Sequence, residues 1–129
     1  MIAYCFDTLG IKELWVIGWS FGTSIAISHA RDPRVKGLIL LSPTLLEIVD
    51  SDLEFWAADG RPIVAMIPEH DDYLKPEQAR LRFSVIPQTK LIAVDGAKHL
   101  WVGEPFVHRV LSEIVEVIAP QRLPLPTEI

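Results

Sequence analysis

Four short apolar runs, Leu14–Ile17, Val35–Leu41, Ile63–Ile67 and Leu91–Val94, are each followed by a segment with helical patterning, and this alternation restricts the fold most. Each run is rich in Leu, Ile or Val and is bounded by Gly, Pro, Asp or Lys. Runs of this kind read as strands buried on both faces, which is the condition of parallel strands covered by helices. The intervening helices are expected over Thr23–Ala30, Leu45–Ala58 and Pro76–Phe83. After the fourth run, Phe106, Val107, Val110, Leu111, Ile114, Val115 and Ile118 recur at spacings of three and four, with Pro105 suited to a first helical turn. Strand and helix alternating in this way predict right-handed βαβ units and an open parallel α/β sheet of about four strands. Met1 to Leu9 reads as the end of a helix stopped by Gly10.

With 129 residues, half of them apolar, the chain can bury one core and is too short for two ordinary domains. The expected division is a domain over residues 1–119 and a proline-rich, irregular or extended tail over 120–129. A net charge of −5 without charge runs argues against a nucleic-acid partner, since a phosphate backbone calls for a basic face. The lone Cys5 cannot form an internal disulfide, and no leader or long apolar span marks export or membrane insertion, so a cytoplasmic location is expected.

Open parallel sheets carry their chemistry beyond the carboxyl ends of the strands. There this sequence holds Ser20, then Ser42-Pro43-Thr44, then Pro68-Glu69-His70-Asp71-Asp72, then Asp95-Gly96-Ala97-Lys98-His99. Ser20 lies within Gly18-Trp19-Ser20-Phe21-Gly22, at a strand-to-helix corner of the kind a nucleophile elbow needs. Such a corner is tight, and small residues are expected two positions to either side of the serine, where a Cβ would collide. A serine, a carboxylate and a histidine thus converge on one rim in the chain order Ser, Asp, His, which is the order found on the hydrolase sheet. The bland alternatives are a Ser20 that merely caps the next helix and a His99 bonded locally in its loop.

Taken together, these three motifs resemble the α/β-hydrolase family from Met1 to about Ala119. Glu69-His70-Asp71 followed by Pro76-Glu77-Gln78-Ala79 is similar to the family's acid turn and next helix, and Gly96-Ala97-Lys98-His99-Leu100-Trp101 to its histidine loop. Pro68 stands where relatives usually carry glycine, Thr23 where a further glycine is common, and Trp19 and Phe21 make the elbow bulky enough to narrow an acyl pocket. The resemblance implies a serine hydrolase with Ser20 as nucleophile, His99 as general base and acid, and Asp71 as the acid that orients it, Asp72 being the less favoured alternative. The backbone N–H of Phe21 is the implied oxyanion donor. Esters, thioesters and amides all fit a serine at the elbow.

Neither a cofactor nor a metal is expected. No G-x-G-x-x-G phosphate loop is present, and neighbouring acids in one turn rarely wrap an ion. His29 and His108 fall in helical segments and read as surface or core-edge residues. Phe55 and Trp56 read as packing on the sheet, with a small cap as the second reading.

Family members normally begin with several strands ahead of the elbow, and the four runs here correspond to the last four of about eight. The elbow strand is therefore expected at a sheet edge, unguarded by lysine or proline, and an unguarded apolar edge is a pairing hazard. From this follow two expectations: that the chain is a truncated or split hydrolase, and that it self-associates through Leu14–Ile17. A catalytically weak fragment serving as a binding or subunit module is the alternative function.

Overall fold

A computed structural model describes residues 1–127. Four strands, β1 (Leu14–Trp19), β2 (Val35–Leu41), β3 (Ile63–His70) and β4 (Thr89–Lys98), form one parallel sheet in the order β1-β2-β3-β4. The helices are α1 (Ile2–Asp7), α2 (Phe21–His29), α3 (Asp50–Asp59), α4 (Pro76–Phe83) and α5 (Glu104–Ile118). Because order in space follows order in sequence, β1 is an edge and, among the described residues, pairs with β2 alone.

Alternation along the inner strands divides the core into two layers. Leu38 and Leu40 of β2 and Ile63, Ala65 and Ile67 of β3 face α2, α3 and α4, where Ile27, Leu53, Trp56, Ala79 and Phe83 complete the larger cluster. Met66 and Val94 point the other way and meet Trp101 and Val110 beneath α5. Trp56 is fully buried, its indole N–H donating to the Ile27 carbonyl at 2.8 Å and the Arg61 guanidinium lying 4.7 Å from its ring. It is a core residue, so the structure supports the packing reading of this aromatic pair over a cap.

Several elements differ from their sequence expectation. The third helix begins at Asp50 instead of Leu45. Leu45 is buried with φ at +54°, outside helical geometry, and the helix starts where the Val49 N–H can donate to the Asp52 carboxylate at 3.2 Å. β3 and β4 run past their apolar segments into the rim, because their ladder continues to the pair His70 and Lys98 across an irregularity after Pro68. Glu69-His70 and Asp95 to Lys98 are therefore strand rather than loop. Finally, the apolar stripe of α5 is only partly covered: Val110 is buried, whereas Val107, Leu111 and Ile118 are exposed.

The tail opens with a single 3₁₀ turn at Pro120–Arg122, and Glu128 and Ile129 lie outside the described residues. No helix among the described residues is long and apolar enough to cross a membrane.

Candidate active site

The corner between β1 and α2 is built by close backbone approach. A Cβ on Gly18 would stand 2.5 Å from the Gly22 carbonyl oxygen and 2.8 Å from the Thr23 Cα, so only glycine fits there. Gly22 differs from expectation, since a Cβ on it would meet nothing within 4 Å. The steric demand on this corner is one-sided.

Ser20 occupies φ +53°, ψ −118°, a region that L residues rarely adopt and that carries a penalty of about 1–3 kcal/mol. Its amide donates to the Leu41 carbonyl of β2 at 2.9 Å, and its carbonyl accepts from the Thr23 amide at 3.0 Å and the Thr23 hydroxyl at 2.5 Å. These three bonds lock the corner. Thr23 is fully buried, and its hydroxyl therefore has a structural task at the position where a further glycine is common in the family. Ser20 Oγ does not cap α2 and is left free to point elsewhere.

It points at His99. Ser20 Oγ lies 2.7 Å from His99 Nε2, and His99 Nδ1 lies 2.8 Å from Asp71 Oδ2. Asp71 is 1% exposed. Its other oxygen, Oδ1, accepts the Tyr73 amide at 2.7 Å and the Leu74 amide at 3.0 Å, so the carboxylate is held by backbone donors on one side and the imidazole on the other. With Asp71 accepting at Nδ1, the neutral imidazole carries its proton there and presents a lone pair at Nε2 to the serine hydroxyl. The two adjacent acids are thus separated by geometry, Asp71 facing His99 and Asp72 lying exposed at the surface.

The remaining residues of this turn disperse. His70 pairs with Glu69 at 2.8 Å on the exposed side, and Glu69 also accepts the Gly96 amide at 3.3 Å. His29 is exposed and His108 half-buried, both on helices away from the rim contacts just described. Phe21 opens α2, and first-turn amides of a helix have no intrahelical acceptor, which leaves its N–H available beside Ser20.

Several contacts at the rim have no signature in the sequence. The Tyr73 ring lies 4.8 Å from the His99 ring, tilted by 53°. The His99 carbonyl accepts the Ser42 hydroxyl at 2.9 Å and, at a longer 3.4 Å, the Trp19 indole N–H. Among the described residues, four that are not glycine have positive φ, namely Ser20, Ser42, Leu45 and Trp101, and three of them follow a strand end or lie close to His99. Backbone strain is thereby concentrated on the rim that holds the serine and the histidine.

No family model matches this sequence, and no curated protein matches it either. Solved structures do. An esterase of Pyrococcus furiosus, Pf2001, superposes with a TM-score of 0.75 at 16% identity, over 92% of this chain and 58% of its own. An α-β serine hydrolase homologue from Coxiella burnetii gives 0.62 at 20% identity, over 94% and 54% respectively. Est1E of Butyrivibrio proteoclasticus, solved with ferulic acid bound, gives 0.67 at 15% identity, over 95% and 64%. The likeness is one of fold, that of the α/β hydrolases, and the chain spans between about half and two thirds of the length of these structures.

Proposed function

We propose that this chain is a serine hydrolase acting on an ester-like acyl substrate, with Ser20 as nucleophile, His99 as general base and acid, and Asp71 as the carboxylate that orients the imidazole. The reading rests above all on the unbroken relay of two short contacts, 2.7 Å from Ser20 to His99 and 2.8 Å from His99 to Asp71.

A serine hydroxyl is un-ionised near neutral pH and needs a base in hydrogen-bond reach. In the proposed cycle, His99 Nε2 takes the Ser20 proton as Oγ attacks the acyl carbonyl. The imidazolium that forms is stabilised by Asp71, which stays ionised. His99 then gives the proton to the departing alcohol, thiol or amine, leaving an acyl-serine. Water, activated by the same nitrogen, releases the acid and restores the serine. Negative charge on the tetrahedral oxygen is met by the Phe21 N–H at the positive end of α2. Phe21, Tyr73 and Leu100, all exposed and adjoining Ser20, Asp71 or His99, give the entrance an apolar character suited to an acyl chain.

The alternative, a weakly active or inert module that binds a partner, is favoured by one specific feature, the unpaired β1 edge with Ile17 and Trp19 exposed on one face. One preorganised oxyanion donor is worth on the order of 10²–10³ in turnover, so a site in which the Phe21 N–H were the sole donor would be slow rather than silent. A fluorophosphonate probe separates the two readings. Stoichiometric labelling of the wild-type chain, lost in Ser20→Ala, is the expected result. A folded chain that resists the probe, or a Ser20→Ala variant labelled as fast as wild type, would defeat the hydrolase reading. Release of p-nitrophenol from short acyl esters then measures turnover.

A further inference from the structure

His99 is fixed at both ring nitrogens, but a ring is only as well placed as the backbone that bears it. That backbone lies just past the end of β4, in a turn closed by the Trp101 amide donating to the Lys98 carbonyl at 2.9 Å. Among the described residues, the shorter of two side-chain bonds to the His99 main chain comes from Ser42, whose hydroxyl donates to the His99 carbonyl at 2.9 Å across 57 residues of sequence, against 3.4 Å for the Trp19 indole. Ser42 follows β2, and its own amide donates to the Met66 carbonyl of β3 at 3.0 Å. Its hydroxyl therefore reaches across β3 and ties the turn after β2 to the turn after β4.

Two observations mark this as more than incidental polar packing. Ser42 is 1% exposed, so its hydroxyl has no water to turn to and its bond to His99 is buried. Its φ is +49°, in the left-handed region where glycine would sit without strain and a serine does not. The strained residue carries a side chain, and that side chain is engaged with the histidine.

We propose that Ser42 is a positioning residue for His99: its hydroxyl fixes the height of the imidazole over the rim, and hence the reach of Nε2 to Ser20. This rests on the serine-hydrolase reading for its catalytic consequence, though not for its structural one. Two substitutions isolate the hydroxyl. Ser42→Ala removes it and keeps the strained backbone, whereas Ser42→Gly removes it and relieves the strain. If the hydroxyl matters, both variants lose labelling rate and kcat by roughly ten- to a hundredfold, as expected when a catalytic group is displaced by a fraction of an ångström to 1 Å, with KM moving less than about twofold. Ser42→Gly should nevertheless melt no lower than Ser42→Ala.

A readout independent of turnover is the low-field proton resonance of His99 Nδ1–H, expected to be sharp in the wild type and broadened or lost in both variants. Retention of rate and resonance in either variant would overturn the proposal: in Gly alone it would mean that backbone conformation matters, in Ala alone that the Cβ restraint does. Loss of folding in both at the assay temperature would make the hydroxyl structural and overturn it as well. Should the wild type fail to react with the probe, the hydrolase reading falls, and the resonance still decides whether Ser42 holds His99.

Discussion

The two glycines that flank Ser20 are equivalent in the sequence motif and unequal in the structure, and alanine at each should separate them. At Gly18 a methyl group would lie 2.5 Å from the Gly22 oxygen, 2.7 Å from its carbonyl carbon and 2.8 Å from the Thr23 Cα. Carbon contacts are comfortable at about 3.5–4.0 Å, so β1 and the first turn of α2 must part by roughly 1 Å. All three obstructing atoms are backbone, and no side-chain rotation relieves them. Overpacking of this kind costs about 1–3 kcal/mol. A shift of that size between Ser20 and His99 costs on the order of 10² in rate. At Gly22 nothing lies within 4 Å of the added methyl and φ is not positive, so Ala replaces Gly in a helix with a gain of up to about 1 kcal/mol. Circular-dichroism melts should show Gly18→Ala lowered and Gly22→Ala unchanged or raised by roughly 3–5 °C. The second-order rate constant for fluorophosphonate labelling should fall only in Gly18→Ala. Equal behaviour of the two variants, or a Gly18→Ala chain that melts and labels like wild type, would refute the steric argument.

Asp71→Asn should lower the labelling rate by on the order of 10³–10⁴, because an amide N–H facing Nδ1 inverts the imidazole tautomer, whereas Asp72→Asn should leave it unchanged. The isolated chain should self-associate with rising concentration through the open β1 edge, and Ile17→Lys should restore the monomer in light scattering; a wild type that is monomeric throughout would count against this. At the surface, paired hydrogen bonds from Arg34 hold the Asp32 carboxyl at about 2, below its ordinary 3.8. Being depressed in the folded chain, this group contributes stability above its unfolded pKa and loses that contribution as pH falls toward 2. In Arg34→Ala the Asp32 carboxyl should titrate close to 3.8 by carbon NMR, and a midpoint that stays near 2 would reject the pairing as cause.

How much of this was legible beforehand follows from how local each determinant is. Continuous apolar runs located all four strands, and proline at the first turn located the starts at Pro76 and Glu104, since burial on both faces and a missing N–H leave their mark on neighbouring residues. The rim was harder. Whether Glu69, His70 and Asp95 to Lys98 belong to strands depends on a partner strand, which residue type does not encode. Asp71 and Asp72 have the same chemistry, and only the turn geometry sends one toward His99. Gly22 matched the pattern without the steric reason behind the pattern. Ser42 and Thr23 carry ordinary hydroxyls whose partners emerge only when distant segments meet. The α5 stripe is apolar as its periodicity predicts, but periodicity reports which face is oily and not how much of it finds a neighbour.

Because β1, like β4, is laddered on one side only, Ser20 and His99 both follow edge strands, and the reach of the hydroxyl to the imidazole depends on how firmly those two edges are held. A strand seated beside Leu14–Trp19 would add a second ladder to that edge and hold the Ser20 corner more firmly. Thermodynamic reciprocity then requires the converse, that an adduct on Ser20 favouring the ordered corner tightens the grip of the sheet on its new neighbour.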